Sequence, residues 1–164
     1  MKPIKNILVA VGFSKYSEEI LAYAARIAQP LDAELIVASI IHIRDVEAVG
    51  SVSAMGYEVD SEHYVSEIEK ERRKTLDRML EKISFPPARV RAIFKVGHPF
   101  EQLLKIAVNE NADLMVMGVK GRSDLEHILV GSVAEKIFRR SPVPILSYRN
   151  KEHSAKLKKK IDLS

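Results

Sequence analysis

Short apolar runs alternate along the chain with stretches in which apolar residues recur every three or four positions. The runs are rich in β-branched residues and predict strands at residues 4–11, 34–41, 90–96, 114–117 and 143–148. The periodic stretches predict helices over about 17–30, 61–83, 99–110 and 132–140. This alternation of strands and helices predicts an α/β fold, in which an open parallel sheet carries helices on both faces.

Local features predict how several elements begin and where they lie. Serine favours helix N-caps, so Ser17 is expected to cap the first helix, while Ser132 and Glu135 have the spacing of a capping box. Charged residues within 90–96 predict a strand near the edge of the sheet. Residues 44–60 contain two glycines among serines and are predicted to form a loop. The apolar stripe of the long helix is interrupted at Arg72.

The positive charge of the chain is concentrated near its carboxyl terminus. The 164 residues carry a net charge of +4, and residues 151–164 hold five lysines against Glu152 and Asp162. The preceding part is therefore nearly neutral, which does not indicate a nucleic-acid-binding face. We divide the chain into an α/β domain, 1–150, and a basic tail, 151–164. The tail is expected to be either a solvated extension or a short helix that contacts an acidic partner.

Two absences narrow the class of protein. The chain has no cysteine, which excludes disulfide bonds, a thiol nucleophile and Cys-ligated metal sites. No apolar run approaches the roughly 18 residues of a membrane span, and the N-terminal residues lack the pattern of a signal peptide. These features favour a cytoplasmic protein that has no contact with membranes.

A glycine-containing segment follows the fourth predicted strand directly. Gly118 and Gly121 are followed, nine residues later, by Gly131 and Ser132. Backbone N–H groups in such a segment, the N-terminus of the next helix and the cations at positions 120 and 122 together predict a site for a polyphosphate. Each glycine taken alone also has a structural explanation, such as the end of a strand. The P-loop and dinucleotide-binding motifs are absent.

The spacing of these glycines resembles the nucleotide-binding signature of the universal stress protein family. The resemblance covers about residues 5–149 and extends to three further segments, Phe13-Ser14, Gly97-His98-Pro99 and Ser141-Pro142-Val143-Pro144-Ile145-Leu146. It implies a Rossmann-like sheet of five parallel strands in the order 3-2-1-4-5 and a homodimer. It also implies a stress-response protein that binds ATP, together with Mg²⁺, and acts on a protein partner that the sequence does not identify.

The implied strand order places the first and fourth strands side by side, at the switch point where open α/β sheets bind their ligands. The resemblance implies that the adenosine end of the nucleotide lies at Ala10, Val11, Gly12, Phe13, Ser14 and Ile40. The phosphates are expected at Gly118, Gly121, Gly131, Ser132 and Val133, and the candidate set is completed by Met117, Lys120 and Arg122.

One departure from the family pattern concerns Gly12, which stands where ATP-binding members usually have Asp. The missing carboxylate removes a contact of about 1.5–3 kcal/mol, but it also removes repulsion of a polyphosphate, so the sign of the effect on affinity stays open. The alternative hypothesis is an adaptor that keeps the fold, binds no nucleotide and acts through dimer and partner contacts.

No residue pattern predicts catalysis or a metal bound by protein side chains alone. The five histidines show no helical i, i+4 pair, so no zinc site is expected, and no base for activating water stands out. Binding with little or no hydrolysis is therefore expected. Asp124 and Glu126 are candidates for contacts to magnesium-bound water, and His127 for a phosphate, with a solvated position as the alternative. The fifth strand is expected to form the dimer through its edge and the apolar residues Val143, Ile145 and Leu146.

Overall fold

The computed structural model describes residues 1–120 and 130–161. Its strands are β1 (Asn6–Ala10), β2 (Glu34–His42), β3 (Val90–Gly97), β4 (Leu114–Gly118) and β5 (Ile145–Tyr148). Its helices are α1 (Ser17–Leu31), α2 (Ile43–Ala54), α3 (Ser61–Glu81), α4 (Pro99–Asn109), α5 (Ser132–Arg140) and α6 (Lys151–Lys158). A short 3-10 turn, Pro87–Arg89, precedes β3.

The five strands form one parallel sheet in the order β3-β2-β1-β4-β5, which confirms the predicted fold and topology. β3 lies at one edge, as the charges in its sequence predicted, and β5 lies at the other. β1 is central, and its Leu8 lies in register with Ile36 of β2 and Met115 of β4. All three side chains are fully buried, as expected for strands covered on both faces.

Helices cover the two faces of the sheet and produce two apolar cores. Side chains of α1 and α3, such as Leu21 and Leu76, pack on one face of β1 and β2. Side chains of α4 and α5, such as Leu103 and Ile137, pack on the other. Because α1 follows β1 and α5 follows β4, the chain leaves these neighbouring strands toward opposite faces. A crevice therefore opens at their carboxyl ends, the usual ligand site of such sheets.

The prediction of a loop over 44–60 is wrong, because residues 43–54 form α2. The Nδ1 atom of His42 caps this helix by accepting a hydrogen bond from the Arg44 N–H at 3.2 Å. Val46 and Val49 are half-buried on its inner side. A Cβ atom placed on Gly50 would lie 3.3 Å from Ser61 Oγ, so α2 and α3 approach closely at this glycine. The small residues thus serve helix packing here.

The short-helix interpretation of the tail is confirmed for residues 151–158, which form α6. Asn150 caps this helix, since its Oδ1 accepts a hydrogen bond from the His153 N–H at 2.7 Å. His153 and Leu157 are half-buried, and α6 lies beside Tyr16 and Tyr148 around a cavity of about 150 Å³. Contact of the tail with an acidic partner stays a prediction. Within residues 1–120 and 130–161, no helix has the length and apolar character to cross a membrane.

Candidate functional site

A cleft of about 380 Å³ lies at the carboxyl ends of β1, β2 and β4. This volume falls within the range of small-molecule sites, about 300–1,000 Å³. The walls include the first turns of α1, α4 and α5, so three helix N-termini border the cleft. The strands place backbone at its floor, and the helices supply most of its polar groups.

The structure brings together most of the residues that the sequence proposed for the site. Those that line the cleft are Ala10, Val11, Gly12, Ser14, Ile40, Met117, Gly118, Lys120, Gly131, Ser132 and Val133. Phe13 does not line it. Its backbone is left-handed, with φ 54°, and its ring packs on the α1 side of the sheet. Gly121 and Arg122 lie outside the described residues, as do Asp124, Glu126 and His127.

The N-terminus of α5 provides backbone donors at the phosphate end of the cleft. Gly131 is the N-cap, and its own N–H donates to Val119 O at 2.7 Å. The predicted capping box is therefore wrong, because Ser132 lies one position too far along, and the Glu135 carboxylate accepts from Arg139 at 3.0 Å. A glycine N-cap has no side chain to accept the first-turn N–H groups. Those N–H groups, with the positive end of the helix dipole, favour an anion.

A buried hydroxyl lines the same cleft from α1. Ser17 is fully buried, and its Oγ has no hydrogen-bond partner among the described residues. The prediction that Ser17 caps α1 is wrong, since Tyr16 is the N-cap and the Tyr16 N–H donates to Ser14 Oγ at 3.3 Å. An unsatisfied buried hydroxyl costs about 1–3 kcal/mol. A ligand atom that hydrogen-bonds to Ser17 would remove this cost.

Arg72 is a cleft residue that sequence reasoning missed. It projects from α3, is 6% exposed and lines the cleft. One guanidinium nitrogen donates to Ser39 Oγ at 2.9 Å and to Ile40 O at 3.0 Å, and its Cζ lies 5.7 Å from the centre of the Phe13 ring. These contacts hold a positive charge at the end of β2. The gap at Arg72 in the apolar stripe of α3 was the available signal, because a charge on a buried face needs specific partners.

The two glycines at the floor of the cleft differ in how much room surrounds them. A Cβ atom on Gly12 would meet no atom within 4 Å, so this position accepts a side chain. A Cβ on Gly118 would lie 2.8 Å from Ile20 Cδ1. A side chain at position 118 would therefore require the end of the Ile20 side chain to shift. Gly118 also ends β4, as the structural explanation of this glycine predicted.

The charges that line the cleft have one sign. Among its described lining residues the charged side chains are Arg72 and Lys120, and none is Asp or Glu. His42 also lines it, but its Nδ1 accepts the Arg44 N–H. In the neutral ring the proton is therefore on Nε2, which leaves no lone pair to act as a base. The described residues are thus arranged to bind an anionic ligand and provide no evident base for attack by water.

Comparisons with known proteins relate this chain to one family. The family model described as "Universal stress protein family" matches residues 3–149. Universal stress protein YxiE of Bacillus subtilis is 31% identical over 148 residues, which cover 88% of this chain and 98% of the relative. The solved structure of the hypothetical protein MJ0577 of Methanocaldococcus jannaschii has a TM-score of 0.70 at 27% identity and covers 92% and 99% of the two chains. A solved universal stress protein in complex with cAMP has a TM-score of 0.61 at 23% identity, with coverage of 90% and 98%, and shares the fold.

Proposed function

Because the chain belongs to the universal stress protein family, we propose that it is a regulatory protein whose cleft binds an adenine nucleotide, with ATP as the first candidate. The 5′-phosphates lie at the N-terminus of α5 and near Lys120, and the adenosine lies toward Ile40 and the end of β1. The cAMP complex of a protein with this fold supports the choice of an adenine nucleotide.

The buried hydroxyl of Ser17 is the observation that carries this proposal. Helix N-termini and glycines occur in many proteins that bind no ligand, but a cleft-lining serine whose buried Oγ has no partner among the described residues requires an explanation. A nucleotide oxygen in the cleft would satisfy it. The absence of Asp and Glu among the described lining residues further favours a ligand with several negative charges.

Magnesium is proposed to enter with the phosphates. Hydroxyls of serine are the oxygen donors that the described lining side chains offer, and no carboxylate is among them. Mg²⁺ is commonly held mainly by substrate phosphates and water, so this donor set fits a phosphate-bound ion and not one fixed by the protein alone. Little or no hydrolysis is proposed, since His42 Nδ1 already accepts a hydrogen bond.

A charge placed at the start of α5 tests this function. In Ser132→Asp the new carboxylate lies at the helix N-terminus, where it stabilises α5 by about 0.3–1 kcal/mol but repels phosphate. Calorimetric titration with ATP and Mg²⁺ is expected to show saturable binding to the native chain, at least tenfold weaker binding to Ser132→Asp, and near-native binding to the neutral Ser132→Asn control. Absence of heat at millimolar ATP with folded native protein would reject the proposal.

A homodimer through β5 is proposed alongside nucleotide binding. β5 is an edge strand, and the Met115 N–H of β4 donates to Pro144 O at 2.9 Å. Because alternate residues of a parallel strand bond to opposite sides, the N–H groups of Ile145 and Ser147 point to the open edge. Sedimentation equilibrium is expected to give a dimer, and Ser147→Pro, which removes one outward N–H, is expected to weaken it. A monomeric native chain at micromolar concentration would contradict this pairing.

The adaptor that binds no nucleotide is the second candidate, and the packing of Gly118 favours it. The close approach to Ile20 explains this glycine without any ligand. The loop predicted over 44–60 would have favoured the adaptor, but residues 43–54 are helical. Titration of the native chain separates the two candidates, because the adaptor predicts no nucleotide binding.

A further inference from the structure

We propose that the cleft prefers an adenosine nucleotide that carries a phosphate on its ribose, at the 2′- or 3′-oxygen, in addition to its 5′-phosphate. This inference rests on the proposed nucleotide binding and specifies the ligand class. It follows from where the structure places positive charge in the cleft.

The first positive pole is the N-terminus of α5 together with Lys120. Both follow β4, and Gly131, Ser132 and Lys120 line the cleft on that side. The backbone donors of a helix N-terminus bind a phosphate well. This pole accounts for the 5′-phosphate of a nucleotide.

The second positive pole is Arg72, at the opposite side of the central strand. Its guanidinium is held at the end of β2 by the hydrogen bonds to Ser39 and Ile40. β1 separates β2 from β4 in the sheet, so the two poles lie on different sides of the central strand. The 5′-oxygen of a ribose and its 2′- and 3′-oxygens lie on different sides of the sugar ring. A bisphosphorylated nucleoside can therefore present one phosphate to each pole.

The composition of the wall between the poles fits the same ligand. Gly12, at the end of β1, presents no side chain toward the ribose, and a carboxylate is absent from the described lining residues. In dinucleotide-binding α/β proteins an acidic residue accepts from the ribose hydroxyls, whereas a nearby Arg accommodates a ribose phosphate. The guanidinium also has the fork geometry suited to phosphate. A cleft with Gly12 and Arg72 in its wall corresponds to the proteins that accommodate a ribose phosphate.

Calorimetry with four ligands tests the preference. AMP and ATP lack a ribose phosphate, whereas adenosine 2′,5′-bisphosphate and adenosine 3′,5′-bisphosphate carry one at either oxygen. We expect at least one bisphosphate to bind at least tenfold more tightly than AMP, and the better of the two identifies the oxygen. If AMP and ATP bind but neither bisphosphate binds more tightly than AMP, this inference is wrong while the proposed function stands. If none of the four binds, the proposed function fails.

Variants at the ribose end show whether Arg72 and Gly12 cause the preference. The ratio of bisphosphate affinity to AMP affinity is expected to fall at least fivefold in Arg72→Met and in Gly12→Asp. A smaller fall is expected in Gly12→Asn, which adds a side chain of similar size without a charge. The ratio is expected to stay near native in Arg73→Met, because the Arg73 side chain contacts Phe94 and Glu69 outside the cleft. Comparison of Gly12→Asp with Gly12→Asn keeps the test valid if Arg72→Met does not fold, because position 12 has room for a side chain. An unchanged ratio in Gly12→Asp would overturn the proposal.

Discussion

Two buried serines near the cleft differ in hydrogen bonding, and their alanine variants are expected to behave in opposite ways. Ser17 is 0% exposed and its Oγ has no partner among the described residues, whereas Ser39 is 1% exposed and its Oγ accepts from Arg72 at 2.9 Å. Ser17→Ala removes an unsatisfied group. Ser39→Ala removes one hydrogen-bond acceptor of a buried guanidinium.

The structure sets the size of the two effects. A hydrogen bond to a charged group contributes about 1.5–3 kcal/mol, so Ser39→Ala is expected to lower the free energy of unfolding by that amount. For a chain of this length the loss corresponds to a fall of roughly 3–12 °C in Tm. Ser17→Ala is expected to raise the free energy of unfolding of the ligand-free protein by up to about 1–3 kcal/mol, because the cost of the unsatisfied buried hydroxyl is removed. The same change is expected to weaken nucleotide binding by roughly 2- to 12-fold, the equivalent of one neutral hydrogen bond.

Urea denaturation of ligand-free protein measures the change in unfolding free energy of both alanine variants. Calorimetric titration with ATP measures the loss of nucleotide affinity in Ser17→Ala. Protein must be freed of any co-purified nucleotide, because bound ligand raises apparent stability. The reasoning would be refuted if Ser17→Ala destabilised the ligand-free protein as much as Ser39→Ala does. That result would mean that the Ser17 hydroxyl already has a stabilising partner within the protein.

Two further predictions concern packing at the floor of the cleft and charge at the opposite end of the sheet. Gly118→Ala is expected to lower the free energy of unfolding by about 1–3 kcal/mol. The loss is expected to be smaller in an Ile20→Val background, which lacks the clashing Cδ1, and a double-mutant cycle measured by urea denaturation is expected to show a coupling of at least about 0.5 kcal/mol. Strictly additive effects of the two substitutions would contradict the contact. Burial raises the pKa of Asp113, but hydrogen bonds from Lys2 and from the N–H groups of Lys5 and Asn6 outweigh it and hold the pKa below its ordinary 3.8. The ionised Asp113 therefore stabilises the fold at a pH above its ordinary pKa. This contribution is lost as the pH falls through the lower pKa that Asp113 has in the folded protein. Asp113→Asn is expected to lower the free energy of unfolding by about 1–2 kcal/mol at neutral pH and by progressively less on acidification. Urea denaturation of both proteins from pH 7 to 3 measures this difference, and a difference that does not change with pH would contradict the role of the carboxylate.

The strands and most helices could be predicted because their signals are local. Continuous apolar runs identify strands that are buried on both faces. Asparagine tolerates the left-handed backbone that often ends a helix, and Asn111 adopts it after α4 with a φ of 51°. The helix over 43–54 could not be predicted in this way. Its glycine and serines are explained by a close approach to α3, and such a contact is visible only after both helices are placed.

The candidate site could be predicted to the level of backbone segments and less well to the level of side chains. Gly12, Gly118 and Gly131 converge with the ends of β1 and β4 as expected. Cap positions at Ser17 and Ser132 were each wrong by one residue, because the turn before a helix is set by tertiary packing as well as by serine propensity. Arg72 was missed because it reaches the cleft from α3, far along the chain from both Gly12 and Gly118, and only the fold brings them together.

Amide NMR spectra recorded during a titration with ATP and Mg²⁺ test most directly whether the cleft is a nucleotide site. We expect saturable shifts in the N–H signals that border it, namely those of Gly12, Gly118, Gly131, Ser132 and Val133. Signals at the opposite end of the sheet, such as those of Asn6 and Asp113, are expected to stay in place. Unchanged spectra at millimolar ATP, or shifts confined to α6, would contradict the account.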